Sequence, residues 1–132
     1  METKPLPRIT GDTRPFWDGC AAGELRVQQC TACAAKQFPP RSRCGECGAG
    51  EFEWTDNALR GEIYSFTVVH RAPTQAFRAD CPYVLALVDV APGARLMLNV
   101  TGCDPDAVYI GMQVSIEFDD TQSTSIPVAK AL

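Results

Sequence analysis

The chain has 132 residues, 45% of them hydrophobic and 21% charged, with a formal net charge of -4. These proportions exclude a disordered chain and suit one compact unit, or a small module joined to a barrel of roughly 70–80 residues. Residues 1–50 carry seven Lys/Arg against five Asp/Glu, whereas residues 51–132 carry five against eleven. So acidic a C-terminal part is a poor match for a phosphate backbone, which is held by Lys and Arg displacing counterions.

The opening METKPLPRITGD has no apolar h-region, so no secretory signal is expected. No run of about 18 apolar residues predicts a membrane span. Residues 1–24 read as a polar arm and a short helix, with Thr13 as its cap, Pro15 in its first turn and Gly23 as its stop. Phe16 and Cys20 share one helical face, and Trp17 and Ala21 the next. A helix of about ten residues does not stand alone in water. Phe16 and Trp17 are therefore expected to dock, either on the protein's own body or on a partner subunit.

Residues 25–55 predict a metal ribbon. Cys30, Cys33, Cys44 and Cys47 have the spacing Cys-x2-Cys-x10-Cys-x2-Cys. Two residues between thiols let one tight turn present both sulfurs to one ion, and two such turns complete a tetrahedral S4 site, closed and therefore structural. Zinc is the first choice and a single iron the second. Leu25, Val27 and Gln29 lead in, and Phe52-Glu53-Trp54 leads out. This alternation predicts each CxxC turn between short strands, the x10 gap spanning two strands and a turn. Seven cysteines, an odd number grouped around two CxxC pairs, argue against a disulfide framework and for a reducing cytoplasm. Cys20, Cys81 and Cys103 read as small buried hydrophobes, with Cys81 the one thiol worth testing.

Residues 56–132 predict a five-stranded barrel. The strands are 63–70, 83–90, 95–101, 113–119 and 125–131, the last placed at an edge because it contains Pro127. Residues 71–82 form a loop, and Asp104 caps one helical turn beginning at Pro105. Leu96, Leu98 and Val100 alternate with Met97, Asn99 and Thr101, as do Val114, Ile116 and Phe118 with Ser115, Glu117 and Asp119. Five strands with a short insertion between the third and fourth give the layout of an OB-type barrel. The fold class is therefore mainly β: an N-terminal helical segment, a metal ribbon and a C-terminal OB-fold barrel.

Tyr64 and Phe66, at i and i+2, are expected on one face. Either they fill the core or they offer a stacking platform for single-stranded nucleic acid, a reading that the acidic barrel disfavours. The chain has one histidine, His70, and no nucleophile-elbow motif, so independent catalysis is not expected. The loop is long enough for His70 and Cys81 to meet, but nothing in the sequence requires it.

Several segments together carry a resemblance. They are Arg14-Pro15-Phe16-Trp17, the two CxxC pairs, Gln37-Phe38-Pro39-Pro40-Arg41, the run from Gly61 to Arg71, Pro82-Tyr83-Val84, Gly102-Cys103-Asp104-Pro105 and Gly111-Met112. In this order they resemble the zinc-ribbon/OB-fold proteins of domain of unknown function 35, over residues 12–132. The resemblance implies a rubredoxin-like zinc ribbon and an accessory role in acyl-CoA chemistry. It implies a thiolase-superfamily partner, such as a sterol-carrier-type thiolase or aldolase, or a hydratase-like subunit. Some members belong to acyltransferase complexes whose partner holds the nucleophile. On this reading Phe16, Trp17, Phe38, Pro39 and Pro40 face the partner. Arg41, Arg71 and Arg78 are candidates for CoA phosphates, which suit arginine's fixed fork, and Phe77 for the pantetheine path.

Overall fold

The computed structural model describes residues 4–132. Helix α1, Arg14–Ala21, begins with Pro15 in its first turn and buries Phe16, Gly19 and Cys20. Thr13 does not cap it: its side chain makes no capping bond. The Thr13 hydroxyl turns back to accept the Thr10 N–H at 2.9 Å, so it is already engaged with the arm preceding the helix.

Three strands build the ribbon sheet: β1 (Leu25–Cys30), β2 (Lys36–Gln37) and β3 (Phe52–Asn57), in the order β2-β1-β3. All pairs are antiparallel, with Gln28 opposite Gln37 and Cys30 opposite Phe52. The first CxxC turn lies between β1 and β2. The second lies between β2 and β3 along the chain, as expected, but the gap between the CxxC pairs holds one strand, the two-residue β2, where two were expected. Neither Pro39 nor Pro40 has an N–H to donate to a ladder, so the chain leaves the sheet there.

The barrel comprises β4 (Arg60–Val69), β5 (Tyr83–Ala91), β6 (Ala94–Thr101), β7 (Gln113–Asp119) and β8 (Ile126–Ala131). They close in the order β4-β5-β6-β8-β7. Only β6 and β8 run parallel. Pro127 is not on an edge strand, since β8 closes the barrel. It pairs with Phe118 of β7, and β8 meets β6 only from Ala129 onward, so no partner asks for the missing N–H. Asp104 caps its turn as expected, accepting the Asp106 N–H at 2.9 Å. The 71–82 connection contains a 3-10 helix, Gln75–Asp80, that the loop reading lacked; the Phe77 N–H donates to the Thr74 carbonyl at 3.2 Å, and the Phe77 ring lies 6.0 Å from that of Tyr83.

A β-bulge at Tyr64 shifts the β4–β5 register: Ile63 pairs with Val88 and Ser65 with Leu87. The inward parity changes there, from Gly61 and Ile63 before it to Phe66 and Val68 after it. Tyr64 and Phe66 therefore do not share a face. Phe66 packs on the core, while Tyr64 is 52% exposed with the Arg95 guanidinium 3.5 Å above its ring.

One hydrophobic cluster unites the elements. Phe16, Cys20 and Leu25 join Ile63, Val84, Val88, Leu96, Val114 and Ile116, with Phe38 and Trp54 packed against it. The ribbon meets the barrel at a bridge between Phe38 and Ala94. Gly93, at φ 81°, turns the β5–β6 hairpin so close to Lys36 that any Cβ there would strike the Lys36 carbonyl.

Candidate metal centre and the surrounding sites

Each CxxC turn is a knuckle with the same hydrogen bonds. The Ala34 N–H donates to the Cys30 carbonyl and the Cys30 N–H to the Ala35 carbonyl; the Gly48 N–H donates to the Cys44 carbonyl and the Cys44 N–H to the Ala49 carbonyl. Ala34 and Gly48 hold equivalent left-handed positions, at φ 65° and 77°. The two knuckles face each other. Cys30 and Cys47 sulfurs are 3.6 Å apart, as are those of Cys33 and Cys44, and all four lie within 4.8 Å of one another. Tetrahedral Zn–S bonds of ~2.3 Å place sulfurs about 3.8 Å apart, so the four thiols fit one S4-coordinated ion.

Backbone N–H groups prepare the ligands. Those of Cys47 and Glu46 pull the Cys44 thiol down to about 7, and that of Cys33 lowers Cys30. At Cys33 the Ala35 N–H pulls the same way, yet burial and the neighbouring thiols carry it up to about 12. The Ala49 N–H likewise acts on Cys47, but the bond with Cys30 and the crowding leave its pKa raised. Each knuckle thus pairs one thiol whose pKa is lowered with one whose pKa is raised. Four thiolates around a dication leave a net negative charge. Arg43 answers it by donating to the Gly48 carbonyl at 3.1 Å, and the Arg41 guanidinium lies over Gly45.

The remaining candidates fall into separate places. Phe16 is 2% exposed, with its ring 4.7 Å from that of Phe38. Phe16 therefore presents no surface to a partner, because the barrel and ribbon use it first. Trp17 and Pro40 are half-buried and Pro39 is exposed. Arg71 and Arg78 are exposed on the β4–β5 connection, and Arg41 is exposed in the ribbon. Phe77 is half-buried beneath Lys4, whose ammonium is 5.5 Å from the ring centre and pairs with Asp80 at 2.5 Å. Cys20 is buried, and burial pushes its thiol up to about 12. Cys81 and Cys103 are half-buried. Cys81 donates to the Phe77 carbonyl at 3.7 Å, and no hydrogen bond among the described residues joins it to His70. Sequence reasoning gave no role to Gln28, which is buried with Gln37. The available signal was a glutamine following Leu25 and Val27 directly in a short strand.

A closed four-cysteine ribbon seated on a five-stranded Greek-key barrel defines a zinc-ribbon/OB-fold protein. Two family models match end to end: a rubredoxin-like zinc ribbon domain of ChsH2 over residues 17–53, and the ChsH2 C-terminal OB-fold domain over residues 54–119. The chain is 36% identical over 95 residues to a DUF35 domain-containing scaffold protein of Methanothermobacter thermautotrophicus, covering 71% of each. It belongs to the DUF35 family. It is also 35% identical over 120 residues to a 3-oxo-4,17-pregnadiene-20-carboxyl-CoA hydratase alpha subunit of Mycobacterium tuberculosis. A probable enoyl-CoA hydratase alpha subunit of Thermomonospora curvata is 35% identical over 115 residues. The chain covers 91% and 87% of itself in these two alignments but spans only 38% and 35% of their lengths. Among solved structures, a chain of an Ltp2-ChsH2(DUF35) aldolase superposes with TM-score 0.85 at 32% identity, over 96% of this chain and 98% of that one. A DUF35 protein of Sulfolobus solfataricus, at TM-score 0.67 and 16% identity, shares the fold. Among the described residues no helix is long and apolar enough to cross a membrane.

Proposed function

We propose that this chain is a non-catalytic subunit that binds a thiolase-superfamily partner, of the sterol-carrier-type thiolase or aldolase kind, and assists that partner in handling an acyl-CoA thioester. A hydratase-like partner is the alternative within the same class. The observation that carries this reading is the end-to-end match to the DUF35 chain of the Ltp2-ChsH2 aldolase, which leaves only 4% of this chain unmatched. The closed S4 site supports it, because four sulfurs leave no coordination position for substrate. Its ion is zinc, in keeping with the family description of the ribbon. Seven unpaired cysteines accord with a cytoplasmic location.

The partner-facing patch comprises Trp17, Pro39 and Pro40, with Phe38 as its half-buried base. Arg71 and Arg78, exposed on the same β4–β5 connection as Phe77, supply the guanidinium groups for CoA phosphates, with Arg41 a further candidate on the ribbon. Co-expression with the thiolase-like protein encoded nearest to this chain tests the proposal. The two should copurify as one complex, and Trp17→Ala should weaken it by about 2 kcal/mol, as buried aromatic anchors do. Independent elution of the two wild-type proteins at micromolar concentration would count against it.

A further inference from the structure

The second knuckle is joined directly to no strand, since β2 ends at Gln37 and β3 begins only at Phe52, yet it must place Cys44 and Cys47 opposite the first. We propose that Gln28 and Gln37 are positioning residues of the metal centre, whose paired amides hold the second half-site in binding geometry before the ion arrives. Both side chains are buried, at 7% and 5% exposure, and stand opposite each other in the β1–β2 ladder. A buried amide must satisfy its donors and acceptors within the protein, and these two spend them on the knuckle.

The Gln37 amide brackets Cys44. Its oxygen accepts the Gly45 N–H at 3.1 Å, and its nitrogen donates to the Arg43 carbonyl at 3.4 Å. The same nitrogen donates to the Gln28 oxygen at 2.8 Å. Gln28 grips the chain two residues earlier: its oxygen accepts the Arg41 N–H at 3.0 Å and its nitrogen donates to the Arg41 carbonyl at 3.2 Å. Together the two side chains offer residues 41–45 the alternating donors and acceptors that a neighbouring strand would. Gln28 precedes Cys30 by two residues on β1, so the network ties one half-site to the other. None of these bonds uses a sulfur, so the network does not depend on the ion. Buried polar networks of this kind are rigid when fully satisfied, and no buried side-chain nitrogen or oxygen among the described residues lacks a partner.

This inference rests on a metal at the four sulfurs and is independent of the partner assignment. It is tested on the full-length chain loaded with zinc, by timing metal loss to a chromophoric chelator. The probes are Gln37→Leu, Gln28→Leu and, as a control, Val27→Ala, which trims a fully buried ribbon side chain with no hydrogen-bonding group to offer the amide network. Gln37→Leu should speed zinc loss by roughly 10- to 100-fold, the range seen when groups that orient metal ligands are removed. The increase should exceed that of Val27→Ala at equal loss of thermal stability, and the cobalt-loaded variants should keep a four-thiolate absorption spectrum. Loss from Gln37→Leu at the wild-type rate, or at the Val27→Ala rate for matched stability, would overturn the proposal. Should Gln37→Leu fail to fold, hydrogen exchange in the metal-free wild-type chain decides. Protection of the Gly45 amide is expected, and exchange as fast as in an unstructured peptide would overturn it. Absence of stoichiometric zinc in the wild-type chain would instead strike at the metal centre itself.

Discussion

The ring of Phe16 lies 4.7 Å from the ring of Phe38, inclined at 46°, and this pair joins the helix to the ribbon above the barrel. Phe16 also meets Trp17 edge-on at 4.9 Å, while Phe38 reaches the barrel through its bridge to Ala94. Three pieces of chain, each too small to bury its own apolar face, complete one core there. Phe16→Ala should therefore cost about 3–5 kcal/mol, as expected for emptying a buried aromatic site. Trp17→Ala should cost clearly less, because that ring is half exposed in the isolated chain. Urea unfolding of the two variants checks the order.

The two knuckles are alike in hydrogen bonding but differ at one left-handed position, where one has Ala34 and the other Gly48. A Cβ at positive φ crowds the following carbonyl and costs about 1–2 kcal/mol. Ala34→Gly should relieve that cost, less the loss of unfolded-chain stiffness, and Gly48→Ala should impose it on the second knuckle. Thermal melts of the metal-loaded chains should move in opposite directions.

Metal affinity should rise with pH. The ion binds thiolates, so protons compete wherever a thiol is protonated in the metal-free chain. Cys33, pushed up to about 12, and Cys47, also raised, must each release a proton across the neutral range. Cys44, at about 7, joins them only as pH falls below its own value. The sign is thus weaker binding at lower pH, with a steeper loss below about 7 than above it. Competition titration with a chelator of known pH dependence, from about pH 6 to about pH 8, measures the slope. A flat profile would contradict the assignment of protonated ligands.

Much of this was legible in the chain itself, for identifiable reasons. Leu96, Leu98 and Val100 point inward from β6 because strict alternation has one physical reading when one face must be buried. The CxxC pairs were legible because the spacing fixes how two sulfurs reach one ion. What escaped depended on tertiary context. The bulge at Tyr64 inverts the parity of β4, and nothing in Tyr64-Ser65-Phe66 marks it locally. Thr13 has a capping residue's chemistry but is claimed by Thr10. Gln28 and Gln37 look like ordinary surface residues until their partners, up to 13 positions away, come together beneath the knuckle.

The most direct test of the account is acyl-CoA turnover, followed for the isolated chain and for the chain mixed with its thiolase-like partner, under conditions where the zinc stays bound. The isolated chain, with its closed metal site and with His70 and Cys81 unjoined, should process no acyl-CoA, and activity should appear only in the complex. Robust turnover by the isolated chain would contradict the account, as would a partner equally active and equally tight for acyl-CoA without it.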